Sequence, residues 1–351
     1  MKIIYQVFLL IIVSFQVLAS GNSLLENEQN TIKVFKENND SIVNVSNIQI
    51  YRRHSFFGTR STEVPKGAGT GFVWNDKGYI VTNFHVIRGG DSFIVNFPHD
   101  KKQYKAKIAG VAPEKDIAVL KVINPPRNLN PVSVGKSSNL QVGQKAIAIG
   151  NPFGLDSTLT TGVISALGRT IQGVSGLDIA DMIQTDASIN PGNSGGPLLN
   201  SKGEVIGMNT VIISPSGSSA GVGFAVPVDA ITRIVPQLIK HGKVIRPGLG
   251  IGLLTPGQQY RLGVREGIVI GSILNEKSGA AKAGLQGLEQ DSLGRISLGD
   301  VILEVDGKKV NSHNDIYQVL DKKNMGDVVK VKFKRGRKIK TVKVTLNRVE
   351  P

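Results

Sequence analysis

Short apolar runs separated by polar, glycine-rich breaks dominate most of the chain, and this rhythm predicts strands joined by tight turns. Residues 71–74, the break Asn75-Asp76-Lys77-Gly78 and Tyr79–Thr82 predict a hairpin. Residues 105–111, Ile117–Val122, Lys145–Gly150, 203–209 and 221–226 predict further short strands. The period changes near 229–241, where Ile231, Ile234, Val235, Leu238 and Ile239 recur at helical spacing and Gly242 supplies a stop signal. Pro236 lies inside that stretch and is expected to kink the helix or shift its start. Upstream, Leu24, Leu25, Ile32, Val34 and Phe35 are scattered among charges, which predicts a short amphipathic arm or helix. Beyond 247 a second unit begins, with strands near 267–273 and 300–305 and a helix near 314–323 that Ser312 caps. A basic hairpin turning at Gly336 closes it, and there is no internal repeat.

A chain of 351 residues suits two domains rather than one core. The pattern divides it into an arm (21–40), a first unit (41–242), a linker (243–247) and a second unit (248–349). Residues 1–20 stand apart. Lys2 precedes an apolar run over 3–18, and Val17-Leu18-Ala19 offers a small-residue cleavage site, which reads as an export signal. The run also approaches the roughly 17–25 apolar residues of an uncleaved anchor. Either way the remainder is delivered across a membrane.

Composition narrows the chemistry. With no cysteine, disulfides, a cysteine nucleophile and cysteine-held metal are excluded. No G-x-x-x-x-G-K loop is present, so nucleotide hydrolysis is not expected. The formal net charge of +15 reads as a solvated basic surface or as attraction to anionic partners. Much of it falls in 330–340, where charge alternates with apolar residues as in a strand with one buried face. That stretch is either a solvated hairpin face or a contact for an anionic membrane surface. A single ring such as Phe333 makes no base-stacking platform, so no nucleic acid partner is expected.

The strongest chemical signal is Asn190-Pro191-Gly192-Asn193-Ser194-Gly195-Gly196-Pro197-Leu198. A serine nucleophile needs a bend that projects its hydroxyl and leaves neighbouring N–H groups aimed at a developing oxyanion, and glycines permit both. Of five histidines, His85 is the informative one, at the end of a strand in Thr82-Asn83-Phe84-His85-Val86. Asp116 follows a turn and opens the apolar strand Ile117–Val122, where a buried carboxylate can orient an imidazole. The order His85, Asp116, Ser194 differs from the Asp-His-Ser and Ser-acid-His orders of other serine hydrolases. Gly192–Gly196 does match G-x-S-x-G, but residues 197–203 lead into a hairpin rather than a helix, which argues against a hydrolase elbow.

These residues resemble the HtrA/Deg family of trypsin-like proteases. The resemblance extends through Thr82–Ile87, Asp116–Lys121, Ile149–Gly154, Gly162–Ser165, Thr185–Gly196 and Gly223–Pro227, in family order over most of 66–228. It implies a mainly β protein: a trypsin-like double six-stranded β-barrel followed by an α+β PDZ domain. It implies Ser194 as nucleophile, His85 as general base, Asp116 as its orienter, and the backbone N–H groups of Gly192 and Ser194 as the oxyanion hole. No cofactor or metal is implied. Ser188, six before the serine, is uncharged and Ile189 follows it, so the specificity pocket is expected to favour small or medium aliphatic residues. Asn193 is neutral, which argues against zymogen activation by a freed N-terminus. Gating is instead expected in loops near 155–159, 169–177 and 214–220, with Arg169 as a candidate relay.

The second unit resembles a PDZ domain. Gly248, Leu249, Gly250 and Ile251 stand at its carboxylate-binding loop, and Ile316 and Leu320, at i and i+4, are candidates for the groove that takes C-terminal peptides. The segment 287–297 is longer than usual and is most similar to the plant chloroplast lumen branch, although the start of the chain lacks a typical transit composition. The resemblance further implies trimers or multiples of trimers through the N-terminal segment. Phe35 there is either a trimer contact or ordinary core. The short connection 52–65 argues against large cages. The implied location is the periplasm, soluble or tethered to the inner membrane. Two functions follow from the resemblance. One is ATP-independent degradation of misfolded, unfolded or damaged exported polypeptides. The other is a stress-sensing chaperone or regulatory protease in which peptide binding dominates and cleavage is gated.

Overall fold

The computed structural model describes residues 24–349 apart from 56–57, 99, 153–156, 174–175, 177, 191, 211–220, 293 and 322. The expected leader or anchor over 1–20 lies outside the described residues, as do parts of all three expected gating loops. Among the described residues no helix is long and apolar enough to cross a membrane.

A first helix, α1 (Glu26–Asn38), precedes two closed barrels. The first is built from β1 (Ile42–Ser55), β2 (Gly58–Val73), β3 (Tyr79–Thr82), β4 (Ser92–Asn96), β5 (Gln103–Ala112) and β6 (Ile117–Val122), in spatial order β1-β2-β3-β6-β5-β4. A one-turn helix, α2 (Phe84–Ile87), follows β3. The second barrel contains β7 (Lys145–Gly150), β8 (Thr158–Gln172), β9 (Asp178–Thr185), β10 (Pro197–Leu199), β11 (Val205–Thr210) and β12 (Gly223–Pro227), in order β10-β11-β12-β9-β8-β7.

The continuous apolar runs have a simple cause: successive side chains on a strand point to opposite faces, and here both faces are buried. On β6, Ala118, Leu120 and Val122 fill the first barrel, while Ile117 and Val119 join a cluster between the barrels. On β7, Ala146 and Ala148 point into the second barrel, and Ile147 and Ile149 join that same cluster. Helix α3 (Val228–His241) seals the junction with Ile231, Ile234, Val235 and Leu238. It runs unbroken across Pro236 from Val228, so the expected shift of its start does not occur. Four buried side chains at roughly 1.5–3 kcal/mol each outweigh the ~3 kcal/mol cost of an interior proline. Gly242 ends the helix at φ 72°, its N–H bonded to Leu238 O.

The first two strands are longer than the apolar pattern shows. Residues 52–65 were read as a short link between strands, yet the pairing of β1 with β2 continues to Ser55↔Gly58. The polar sequence there shows no apolar alternation, while backbone pairing persists.

The second unit comprises β13 (Arg246–Gly248), β14 (Ile251–Leu253), α4 (Pro256–Arg261), β15 (Ile268–Ile273), α5 (Gly279–Lys282), β16 (Glu289–Gln290), β17 (Ile296–Ser297), β18 (Val301–Val305), β19 (Lys308–Lys309), α6 (His313–Leu320), β20 (Val328–Arg335), β21 (Lys338–Thr345) and β22 (Asn347–Val349). Its main sheet runs β14-β15-β18-β20-β21, with β19 beside β18. Ser312 caps α6 as expected, its hydroxyl accepting from the Asp315 N–H. The long segment 287–297 carries the small β16–β17 hairpin.

The expected linker 243–247 is not a passive tether. Arg246 and Pro247 pair with β22, and Arg246 forms an ion pair with Glu114 of the first unit. Around it, Lys115 Nζ lies 2.9 Å from Asp321 Oδ2, and Arg233 donates to Asp321 O at 2.9 Å. The Tyr317 ring sits between Lys115 Nζ (5.4 Å) and Arg246 Cζ (5.1 Å). At the other end of α6, Asn314 Nδ2 donates to Asp178 Oδ2 at 3.0 Å. Burial opposes the Asp321 charge, but Lys115, Arg233 and Arg246 outweigh it and hold the carboxyl below its ordinary range. Burial and the Asp321 charge push the Tyr317 hydroxyl up.

Candidate active site

Each barrel contributes part of the site. On the first, Pro113–Lys115 forms a 3-10 turn that ends in Asp116 at φ 53°. The left-handed conformation, which Asp tolerates better than most residues, turns the carboxylate back toward α2. Asp116 is 2% exposed. Its Oδ1 accepts from the His85 N–H at 2.9 Å, and its Oδ2 lies 2.8 Å from His85 Nδ1. Thr210, from the second barrel, donates its hydroxyl to Oδ2 at 2.8 Å. A buried carboxylate with three such partners is well satisfied, and it fixes His85 with Nδ1 engaged and Nε2 free for other work. His85 stands on the one-turn helix α2 rather than at the strand end itself.

On the second barrel, the bend before β10 carries Ser194. Gly192 (φ 121°) and Gly195 (φ 82°) take conformations that suit glycine. A Cβ at Gly195 would stand 2.2 Å from Thr70 O and 2.4 Å from Thr82 Oγ1. A Cβ at Gly69 would meet both Val86 and Ser194 O. The serine bend is therefore pressed against Thr82 and Asn83, and Gly69 lies between Val86 and the bend, beside His85. Thr70 fastens the two barrels here. Its N–H donates to Ser194 O (2.9 Å), its hydroxyl donates to Gly192 O (2.5 Å), and it accepts from the Asn151 N–H (2.8 Å). Asn193 braces the bend from within: its Nδ2 donates to Ser188 O at 2.9 Å and its Oδ1 accepts from the Asn190 N–H at 3.0 Å.

The Ser194 hydroxyl is buried, and among the described residues it has no hydrogen-bond partner. Nor, among them, does anything accept from the N–H groups of Gly192 or Ser194. Two uncommitted backbone donors are what oxyanion stabilisation requires, while attack also requires the hydroxyl to engage a base, a bond absent among the described residues.

The other expected residues divide. Ile189 is buried and packs on Gly223, where a Cβ would meet its Cγ1 at 2.4 Å, while Ser188 is exposed. The segment 211–220 beyond β11 lies outside the described residues. Arg169 bonds Gln184 Oε1 at 3.1 Å on β9, and among the described residues nothing joins it to His85, Asp116 or Ser194. Phe35 is partly buried against the inter-barrel cluster. In the second unit Gly250 (φ 80°) forms a close turn on Ser278, and Ile251 opens the free edge strand β14. Ile316 (6% exposed) and Leu320 (9%) belong largely to the core. Thr70, Thr82 and Thr210 were missed. The only available hint was the setting of Thr70 between Gly69 and Gly71, because their hydroxyls acquire meaning only when distant strands meet.

A trypsin-like serine endopeptidase bearing one PDZ domain is the class that this architecture defines. The family profile described as "Trypsin-like peptidase domain" matches residues 69–208, and that described as "PDZ domain" matches 247–346. The chain is 47% identical over 331 residues to Protease Do-like 1, chloroplastic, of Arabidopsis thaliana, covering 94% of this chain and 74% of that protein. It is 38% identical over 301 residues to the periplasmic pH-dependent serine endoprotease DegQ of Escherichia coli, covering 83% and 63%. Among solved structures, the HtrA-type protease AlgW with a decapeptide superposes with a TM-score of 0.66 at 31% identity, covering 92% of this chain and 99% of that one. The chain belongs to the HtrA/Deg family of serine proteases.

Proposed function

We propose that this protein is an ATP-independent endopeptidase that degrades misfolded or damaged exported polypeptides. Ser194 attacks the scissile carbonyl and His85 takes its proton through Nε2. Asp116 holds the ring and stabilises the imidazolium, and the N–H groups of Gly192 and Ser194 receive the oxyanion. The observation that carries this reading is the buried Asp116 carboxylate at 2.8 Å from His85 Nδ1, locked from the opposite barrel by Thr210. The uncharged Ser188 and apolar Ile189 support cleavage after small or medium aliphatic residues. The PDZ unit binds substrate or activator C-termini through Gly248, Leu249, Gly250 and Ile251, with the ligand added as a strand on the free edge of β14. Export to the periplasm is supported by the leader-like 1–20 segment and by relatives such as DegQ, and a trimer is the family's arrangement that α1 and Phe35 would serve.

The unbonded Ser194 hydroxyl favours a second reading, in which the site awaits a peptide signal and cleavage is gated. Degradation of unfolded β-casein, beside a Ser194→Ala control, tests both. Loss of the nucleophile should lower the rate on the order of 10⁶-fold. Equal activity in the two proteins would refute the assignment of Ser194. Cleavage that appears only when a C-terminal peptide is added would select the gated reading.

A further inference from the structure

The β20–β21 hairpin of the PDZ unit carries more positive charge than its fold uses. From Val328 to Thr345 there is no acidic residue. Two of its cations are structural: Lys332 pairs with Glu304 at 2.8 Å and Arg335 with Asp300 at 2.7 Å. Lys330, Lys334, Arg337, Lys338, Lys340 and Lys343 are exposed, and none has an ion pair among the described residues. Val329, Val331 and Phe333 point into the core, so Lys330, Lys332 and Lys334 share the outer face. Across from them, Lys343 stands directly opposite Lys330, and Ile339 opposite Lys334.

Two features of this face oppose ordinary stability. Like charges directly opposite on neighbouring strands are unfavourable. Ile339 is 61% exposed on that face, directly opposite Lys334. Protection of a sheet edge accounts for lysines on β21, which is the edge. It does not account for Lys330 and Lys334 on β20, which is paired on both sides. The turn is tight: Gly336 at φ 56° begins a two-residue loop between the paired Arg335 and Lys338, as in a type II′ hairpin. The charged tip is thereby held rigid and projecting.

We propose that the outer face and tip of this hairpin form a docking surface for a membrane rich in anionic headgroups, with Ile339 inserting among the lipid chains. Lysines are compact charges suited to a diffuse anionic surface. An exposed apolar residue on a face of cations matches a headgroup boundary with hydrocarbon beneath it. A nucleic acid fits less well, because Phe333, the hairpin's one ring, is 1% exposed and lies under the sheet. The peptide edge β14 and the hairpin edge β21 are opposite ends of one sheet, so membrane docking leaves the peptide edge open.

Co-sedimentation of the full chain with vesicles tests this, comparing phosphatidylcholine alone with phosphatidylcholine containing phosphatidylglycerol. The variant Lys330→Glu/Lys334→Glu/Lys343→Glu, which reverses three cations of the outer face, carries the same N-terminal segment, so the difference between the two proteins isolates the hairpin. Each cation near an anionic surface contributes about five-fold, so partitioning to anionic vesicles should fall on the order of 100-fold or more. Casein cleavage in the absence of lipid should be unchanged. Lys330→Gln/Lys343→Gln should bind anionic vesicles less while unfolding at a higher temperature, because it removes a like-charge pair. The proposal is overturned if both proteins partition equally to both vesicle types, if inorganic phosphate abolishes vesicle binding, or if a DNA duplex binds the hairpin more tightly than vesicles do at the same salt.

Discussion

Asp321→Asn separates the two units chemically while leaving their shapes nearly intact. Asp321 holds Lys115 at 2.9 Å, and the two side chains are only 19% and 10% exposed. Lys115 is the residue immediately before Asp116, inside the turn that fixes the Asp116 carboxylate. Outright rupture of a buried ion pair costs 3–5 kcal/mol. The smaller value for a hydrogen bond to a charged group, about 1.5–3 kcal/mol, applies here. Asparagine keeps an acceptor, and both side chains retain some access to water. Local opening of the turn should then become about 10- to 150-fold more frequent. The Asp116 amide, bonded to Pro113 O at 3.2 Å, reports on that opening by hydrogen exchange. Its exchange should accelerate by that factor, casein turnover should fall, and Lys115→Met/Asp321→Asn should exchange no faster than the worse single variant. Exchange within about two-fold of the wild type, with unchanged turnover, would refute the claim that the second unit supports the Asp116 turn.

Other perturbations follow from the same contacts. The folded Asp321 carboxyl is depressed below its ordinary 3.8, so its contribution is present above that value and is lost as pH falls through the lowered one. The exchange difference between wild type and Asp321→Asn should therefore be constant near neutrality and vanish in strong acid. Thr210→Val removes one of three partners of Asp116 without changing volume, and kcat should drop about 10- to 100-fold with little change in KM. An unaltered kcat would show that Thr210 is merely packed there. Ser312→Ala removes the cap of α6 and should destabilise the second unit by about 1 kcal/mol, measured as a lower unfolding temperature of that unit.

The sequence was readable where burial on both faces left an apolar signature. Ile117–Val122 and Lys145–Gly150 were located to the residue for that reason. The outer part of the β1–β2 ribbon was not, since its polar residues carry no apolar alternation in the sequence and the strands extend there by backbone pairing. Within the site, Ser194, His85 and Asp116 could be named because each needs a distinctive local setting. Thr70 and Thr210 could not: their partners lie 122 and 94 residues away, and no local pattern encodes such a meeting. The ionic contact between Lys115 and Asp321 was hidden for the same reason. The linker residue Arg246 looked like a tether because its partner, Glu114, belongs to another unit.

Helix α1 precedes both barrels in the sequence, but it rests on the second. Asn30 donates to Ser201 O, 171 residues later, and Lys145 Nζ is wrapped by Asn27, Asn30 and Thr31. A Cβ at Gly203 would strike Asn38, so the same turn is shaped to receive the helix. Its docking site does not exist until β10 and β11 have emerged and paired. Contacts of such long sequence separation form late, after the loop between them has been closed by other structure. A segment that precedes both barrels in the sequence is thus among the last to dock, and it must wait through the synthesis of both barrels.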